Sequence, residues 1–245
     1  MLEQKRTFVI LHGGWQSSRG WKAVADLLNQ AGFRVGLVDL PGHGSQAGIP
    51  FHKINLQTYV NYTCQIVQEF QKQGPVVLVG HSMSGMVISQ VAQNMMVDRL
   101  IYVTAFLPVN HERLVDIARH SPIIGISKNM VYNLKEKSIS LDKAGLDRLF
   151  YNGCSFEVTE QALSRLQEQP VLPFYGRVYL TKEKFGAVPK YYVECTKDFS
   201  LSIKLQRSMQ KRWPCGIYSV EAGHCPFYSI PEVLTEIFIN CISTK

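Results

Sequence analysis

The stretch Pro75-Val-Val-Leu-Val-Gly-His-Ser-Met-Ser-Gly85 joins a continuous apolar run to a turn rich in glycine and serine. The run Pro75–Val79 has no polar alternation, which is typical of a strand buried on both faces of a parallel sheet. The spacing from about Met83 to Asn94 favours a helix. A serine on such a tight strand-to-helix turn projects its hydroxyl from a strained backbone. Ser82 is therefore a candidate nucleophile.

Small residues are required on both sides of this turn, because the chain folds back on itself there. Gly80 meets the requirement two places before Ser82. Ser84 stands two places after it, where glycine is usual, although Ser84 is small and Gly85 follows. The strand-then-helix context, more than the short motif, supports the assignment.

Outward from this turn, strands and helices alternate along the chain. The predicted strands are Thr7–Leu11, Arg34–Leu40, Pro75–Val79, Arg99–Ala105, Tyr191–Cys195 and Gly216–Val220. The predicted helices are Trp21–Ala31, Tyr59–Gln71, Met83–Asn94, Leu201–Lys211 and a last one from Pro231. Such alternation predicts an α/β fold with a mainly parallel sheet and helices on its faces.

The alternation stops between Pro108 and about Val188, where the periodicity is mixed. A stretch of this length is too long for a plain loop and predicts a small helical cap inserted over the sheet. We therefore expect one domain, 1–245, with its core in 1–108 and 189–245 and the cap in about 109–188.

A serine hydroxyl needs a base to accept its proton, and histidine is the usual one. Of seven histidines, only His224 lies in a loop after the last predicted strand, near the end of the chain. That order and setting make His224 the candidate base; a structural loop histidine is the alternative.

The third catalytic member should be an acid that orients the imidazole and stabilises its charged form. Asp198 follows the strand Tyr191–Cys195 and precedes a helix, between the serine and the histidine. Two alternatives stay open. Asp198 could instead cap that helix, and Glu194 is a rival acid, although it should lie within the strand.

A tetrahedral oxyanion needs two hydrogen-bond donors. The backbone N–H of Met83, at the start of a helix, is the first candidate. The second should come from the glycine turn Leu11-His-Gly-Gly14, where we predict the Gly14 N–H, with Gly13 as the reserve. Gly13, Trp15 and His81 are further predicted to contact the substrate.

Composition narrows the classes of protein. Apolar residues make up 46% and charged residues 18% of the 245, as in a soluble globular protein. The formal charge is +7, but lysine and arginine form no run, so nucleic acid is not the expected partner. No apolar stretch is long enough for a membrane span or a secretory signal. Six scattered cysteines indicate reduced thiols in a cytoplasmic protein.

With these residues in place, the chain resembles the α/β-hydrolase superfamily. Within it, the sequence is most similar to the plant methylesterase and hydroxynitrile lyase group and to small bacterial esterases. The likeness lies in His12-Gly-Gly14 followed by Trp21, in Val38-Asp-Leu-Pro-Gly-His-Gly44, and in Asp198 with Gln206. The usual proline of the Asp198 segment is replaced, by Ser202 or Ile203.

The resemblance implies an open sheet, a helical cap over Ser82, and neither a metal nor an organic cofactor. It also implies hydrolysis of small carboxylic esters, because the lyases carry a threonine and a lysine where this chain has Gly13 and Cys225. Lyase or lactone-opening activity, and ligand binding with little turnover, are the alternatives. Aromatic and aliphatic residues that could line a compact apolar pocket are Phe106, Leu107, Phe150, Tyr151, Phe156, Phe174 and Tyr175.

Overall fold

A computed structural model describes residues 6–120 and 124–243 of the protein. Six strands form one sheet in the order β2-β1-β3-β4-β8-β9. They are β1 Thr7–Leu11, β2 Arg34–Val38, β3 Val76–His81, β4 Arg99–Val103, β8 Lys190–Cys195 and β9 Gly216–Val220. Each neighbouring pair in this sheet is parallel. The predicted mainly parallel sheet is confirmed.

Ten α-helices accompany the strands in the described chain. They are α1 Lys22–Gln30, α2 Leu56–Gln71, α3 Ser84–Asn94, α4 Leu114–Ala118, α5 Ile124–Asn129, α6 Leu146–Phe150, α7 Phe156–Ser164, α8 Ile203–Gln210, α9 Pro226–Ser229 and α10 Pro231–Ser243. Helices α1 and α10 pack together, as do α2 and α3.

The winding of the chain explains how helices come to cover both faces of the sheet. From β1 the chain crosses to β2 on one side and then returns past β1 to β3 on the other. Because crossovers between parallel strands are right-handed, reversing the direction moves the connecting helix to the opposite face. Ligand sites in such sheets lie at the carboxyl ends of the strands where this reversal occurs. Here that point lies between β1 and β3.

The core is formed by apolar side chains of the central strands and the helices over them. Under α1 and α10, the Trp21 ring stacks on Phe227 at 4.2 Å between centroids, and Phe8 stacks on Phe238 at 6.0 Å. All six residues of β3 are buried. This burial accounts for the absence of polar alternation in its sequence.

Predicted element boundaries differ from the structure by a few residues, and local contacts explain the differences. Helix α2 starts at Leu56, three residues before the prediction, because Asn55 and Thr58 form a capping box. Strand β2 ends at Val38 instead of Leu40. The Leu40 N–H leaves the ladder and donates to His12 Nε2 at 3.1 Å.

The segment between β4 and β8, which we call the cap segment (residues 104–189), contains helices α4 to α7. It also contains an antiparallel sheet that the sequence analysis did not predict. Its strands are β5 Met130–Asn133, β6 Ser138–Leu141 and β7 Gln169–Pro170, in the order β5-β6-β7. Alternation in Ser138-Ile-Ser-Leu141, with Ser138 and Ile139 buried, is the signal that a strand assignment could have used.

The described residues form neither a membrane-spanning helix nor a cluster of metal ligands. Within 6–120 and 124–243, no helix has the length and apolar character needed to cross a membrane. Over the same ranges, no three His, Cys, Asp or Glu side chains are grouped as metal ligands would be.

Candidate active site

The turn that follows β3 carries Ser82 in a left-handed backbone conformation, with φ at 51°. This region is uncommon for residues other than glycine, so the surrounding structure must hold it. The Ser82 carbonyl accepts hydrogen bonds from the N–H groups of Gly85, at 3.1 Å, and Phe106, at 3.0 Å. Gly85 leaves no room for a side chain, since a Cβ there would overlap the Phe106 carbonyl oxygen.

His224 and Asp198 meet Ser82 from two other loops of the core. His224 Nε2 lies 3.2 Å from Ser82 Oγ, and His224 Nδ1 lies 2.7 Å from Asp198 Oδ2. His224 follows β9, and Asp198 follows β8. The structure thus brings the three predicted catalytic side chains into one hydrogen-bonded line at the carboxyl edge of the sheet.

Asp198 is buried and accepts four hydrogen bonds. Its Oδ1 accepts from the N–H groups of Ser200 and Leu201, both at 2.7 Å. Its Oδ2 accepts from Thr104 Oγ1 at 2.5 Å, in addition to His224. These four hydrogen bonds replace those that the carboxylate would make with water, so they offset the cost of burying its charge. A capping role is wrong for Asp198, because the N-cap of α8 is Ser202.

The rival acid, Glu194, lies in β8 and away from this line. Its carboxylate pairs with Arg207 at 2.8 Å and accepts from Gln210 at 3.0 Å. Gln206, by contrast, supports the Asp198 loop: its side chain bonds the N–H and carbonyl of Cys195 and the carbonyl of Leu201.

Sequence reasoning missed two residues that contact the hydrogen-bonded line of Asp198, His224 and Ser82. Thr104 follows β4 directly, so its position at the carboxyl edge beside β3 was a usable signal. Phe150, at the end of α6, stacks on the His224 ring at 5.3 Å between centroids. The sequence placed Phe150 among the pocket candidates, without a role beside the histidine.

The proposed oxyanion donors lie on either side of Ser82. Gly14 and Met83 both line the cavity that contains Ser82 and His224. Across the described chain, neither backbone N–H has a hydrogen-bond acceptor. Both are therefore available to an anionic oxygen in that cavity.

Two of the three predicted substrate contacts lie behind the cavity. His81 is fully buried and donates from Nε2 to the His224 carbonyl at 2.8 Å, so it supports the histidine loop. Burial lowers the pKa of His81 well below its ordinary value, and the ring is neutral. Gly13 packs on this ring: a Cβ there would come within 2.6 Å of His81 Nδ1. The prediction of substrate contact is corrected for Gly13 and His81.

Trp15, the third predicted contact, forms part of the cavity wall. The cavity encloses about 740 Å³ of space, a volume that includes its open mouth. Its apolar lining comes from both the core and the cap segment, and includes Phe106, Ile139, Phe174, Tyr175 and Leu201. Two other residues proposed for the pocket are not part of this wall: Phe156 is 75% exposed, and Tyr151 lines a different pocket. Among the described lining residues there is no Lys, Arg, Asp or Glu.

Known proteins with similar sequences include hydrolases and esterases. A pyrethroid hydrolase of Sphingobium wenxiniae is 29% identical over 239 residues, which cover 93% of this chain and 84% of that protein. Putative methylesterase 11, chloroplastic, of Arabidopsis thaliana is 26% identical over 95% of this chain. The match covers only 63% of that longer protein.

Solved structures agree with the fold. The crystal structure of a pyrethroid hydrolase from Sphingobium faniae JZ-2 matches with a TM-score of 0.87 and 26% identity over 98% of each chain. Polyneuridine aldehyde esterase, at 20% identity, matches with a TM-score of 0.86 over 98% of this chain and supports the fold alone. The model of the alpha/beta hydrolase family matches residues 8–237. The chain therefore belongs to the alpha/beta hydrolase family.

Proposed function

We propose that the protein is a serine esterase that cleaves uncharged carboxylic esters through an acyl-enzyme on Ser82. The observation that carries this proposal is the hydrogen-bonded line Asp198–His224–Ser82 at one end of an apolar cavity. The names of the similar proteins, a pyrethroid hydrolase and methylesterases, support ester cleavage. We further propose one hydrolase domain, with the core in 1–108 and 189–245 and the insertion in 109–188.

The proposed reaction has two steps. Ser82 Oγ attacks the ester carbonyl while His224 Nε2 accepts its proton, and the new oxyanion is bound by the N–H groups of Gly14 and Met83. His224 then gives the proton to the leaving alkoxide as the bond from carbon to oxygen breaks. Water, deprotonated by the same histidine, then attacks the acyl-enzyme. As the bond from the acyl carbon to Ser82 Oγ breaks, His224 returns the proton to Oγ, and the carboxylic acid is released.

Burst kinetics with p-nitrophenyl acetate and butyrate test the nucleophile. We expect a burst of nitrophenol followed by steady turnover in the wild type, and neither in Ser82→Ala. Ser208→Ala, which removes an exposed hydroxyl on α8, is the matched control and should keep both phases. Turnover in Ser82→Ala at the wild-type rate would refute the assignment.

The lining of the cavity supports the proposed preference for uncharged esters. An anionic substrate would lose its hydration there without gaining a cationic partner from the described lining residues. In the same assay we expect kcat/KM for p-nitrophenyl hemisuccinate to be at least about tenfold below that for the butyrate, in line with an unpaired buried charge. Long-range repulsion cannot cause such a difference, because the formal charge of +7 favours encounter with the anionic ester. Equal values of kcat/KM for the two esters would contradict the proposal.

A reducing, cytoplasmic location is also proposed. It is supported by the thiols: all six cysteines are free in the structure, although Cys195, Cys225 and Cys241 are buried. Extraction from the native host without reductant, followed by thiol counting, tests it: six reactive thiols after denaturation are expected, and fewer would contradict it.

A further inference from the structure

Trp15, directly after the proposed oxyanion donor Gly14, has an unusual backbone conformation. Its φ is 61°, in the left-handed region that bulky residues rarely adopt. A backbone in this region persists only where the surrounding structure holds it in place. The turn after β1 therefore depends on contacts from outside itself.

Those contacts come from the cap segment. The Trp15 N–H donates to Gln169 Oε1 at 3.3 Å, and the Trp15 carbonyl accepts from the Gln167 N–H at 2.8 Å. The indole Nε1–H donates to the Ile139 carbonyl at 2.9 Å. Both backbone groups and the one polar side-chain atom of Trp15 are thus bonded to residues in or next to β6 and β7.

Gln169 is itself held at both ends of its amide. The side chain is fully buried, and its Nε2 donates to Tyr59 Oη at 3.2 Å and to the Pro170 carbonyl at 2.9 Å. With the amino end occupied, Oε1 faces the turn: a Cβ on Gly14 would lie 3.5 Å from it. The three-stranded sheet β5-β6-β7, which we call the cap sheet, therefore holds the acceptor Gln169 Oε1 in a fixed position beside the proposed oxyanion hole.

The other side of the turn is tied to the core. Ser84, on the first turn of α3, donates its hydroxyl to the His12 carbonyl. His12 Nδ1 lies 2.7 Å from the Gly13 carbonyl. Gly14 therefore lies between the turn that carries Ser82 and the sheet β5-β6-β7 of the cap segment. Contacts on both sides fix the direction of its N–H group, which in the proposed reaction donates to the substrate's carbonyl oxygen.

We propose that Gln169 is a positioning residue of the oxyanion hole, so that the cap sheet sets the direction of the Gly14 N–H. The inference rests on the proposed esterase function. It assigns the cap segment a part in transition-state stabilisation, separate from its part in enclosing the substrate. An oxyanion hole needs preorganised donors, and small displacements of them reduce the rate strongly.

Gln169→Met tests the proposal, because methionine has nearly the same size and shape but cannot accept the Trp15 N–H. We expect kcat for p-nitrophenyl butyrate to fall about 10- to 100-fold, as expected of a misplaced oxyanion donor, while KM changes little. Two inhibitors separate transition-state stabilisation from substrate binding: butylboronic acid and p-nitrophenyl butyl ether.

The boronic acid forms a bond from boron to Ser82 Oγ, and the serine proton passes to His224. The resulting tetrahedral boronate anion places a boron-bound oxygen in the oxyanion hole. Its inhibition constant should rise with the loss in kcat.

The uncleavable ether binds the same cavity without developing charge, so its inhibition constant should stay constant. Equal weakening of both inhibitors would indicate general damage to the cavity and would overturn the proposal. Unchanged kcat and boronate affinity in a folded Gln169→Met protein would overturn it too. Gln161→Met is the matched control, because it makes the same change at an exposed position of α7 in the cap segment, and it should keep kcat within about twofold.

A second variant keeps the inference testable if Gln169→Met does not fold. Trp15→Phe removes the indole bond to Ile139 and leaves an aromatic ring in the cavity wall. We expect the boronate to lose affinity relative to the ether, and an unchanged ratio of the two constants would overturn the proposal. Ser82→Ala run in parallel separates the two hypotheses. Turnover independent of Ser82 would refute the esterase mechanism, whereas Ser82-dependent turnover unaffected at Gln169 refutes only the positioning role.

Discussion

At the scale of single residues, the environment of Asp198 decides what the histidine beside it can do. Three donors other than His224 occupy the carboxylate, from Thr104, Ser200 and Leu201. They prevent rotation of the carboxylate, so that Oδ2 stays in line with His224 Nδ1. The imidazole is thereby held with Nε2 facing Ser82, as proton transfer requires.

Asp198→Asn should remove this orientation with little change in shape. If the asparagine amide turns its NH2 group toward His224 Nδ1, it favours the wrong imidazole tautomer. If it turns its oxygen there instead, its NH2 group faces the other donors and those hydrogen bonds are lost. We expect kcat for p-nitrophenyl butyrate to fall by about 10³- to 10⁴-fold, the loss seen when such an acid becomes an amide. Glu194→Gln is the matched control and should keep kcat within a few-fold, because that acid pairs with Arg207. The reverse ranking would show that the acid is misassigned.

At the scale of elements, helix propensity and close packing favour different residues at Gly85, which lies just after β3 in the first turn of α3. Helix propensity disfavours glycine within α3, yet Gly85 lies in its first turn. The chain after β4 passes so close that the Phe106 N–H bonds the Ser82 carbonyl at 3.0 Å. This close approach ties the chain after β4 to the turn that carries Ser82, and it requires glycine at position 85.

Gly85→Ala separates propensity from packing. Propensity alone predicts a gain of up to about 1 kcal/mol in the free energy of unfolding. Because the added Cβ would overlap the Phe106 carbonyl, we expect a loss of about 1–3 kcal/mol instead, as in other overpacked sites. Urea denaturation followed by circular dichroism measures it. Ala92→Gly on the same helix is the comparison, with an expected loss of about 1 kcal/mol. A stabilised Gly85→Ala protein would contradict this account of the turn.

At the scale of the whole molecule, the loops that follow β1 and β2 at the carboxyl edge of the sheet are joined at Asp39. Its Oδ1 accepts the Ser18 N–H at 2.7 Å, and its Oδ2 accepts the Ser45 N–H at 2.9 Å. Partial burial disfavours the charged form, but these hydrogen bonds outweigh that effect and lower the pKa of Asp39 below the ordinary value of an aspartate. Folding therefore favours the ionised form of this group.

The sign of the pH dependence follows. A carboxyl whose pKa is lower in the folded state stabilises the fold above its unfolded pKa and loses that contribution as the pH falls through its folded pKa. We expect Asp39→Asn to lower the free energy of unfolding by about 1–2 kcal/mol at pH 7, after allowance for solvent screening. The difference from wild type should shrink below about pH 4, the ordinary range of an aspartate.

Urea denaturation at pH 7, 5 and 3 measures this difference. Asp26→Asn provides the control, because Asp26 pairs with Lys22 on the exposed side of α1 and an exposed pair contributes little. A difference between wild type and Asp39→Asn that is constant from pH 7 to pH 3 would contradict the role given to the carboxylate.

The sequence by itself determined the order of strands and helices, the buried parallel strand before Ser82, and three catalytic candidates. These features depend on periodicity and on short-range backbone requirements, which a single chain segment expresses. The loop positions of Asp198 and His224 could be inferred for the same reason, since each follows a recognisable strand. The distances that join them to Ser82 could not.

Only the tertiary structure decided how the site is supported. His81 neighbours Ser82 in the sequence, yet its ring points away from the cavity and supports His224. Trp15 and Gln169 are 154 residues apart and meet because the cap sheet folds over the turn after β1. Contacts of this kind depend on which faces pack together, and a local pattern carries no information about the distant partner. The chain thus encodes its chemistry in short segments, while its long-range packing determines the geometry in which that chemistry acts.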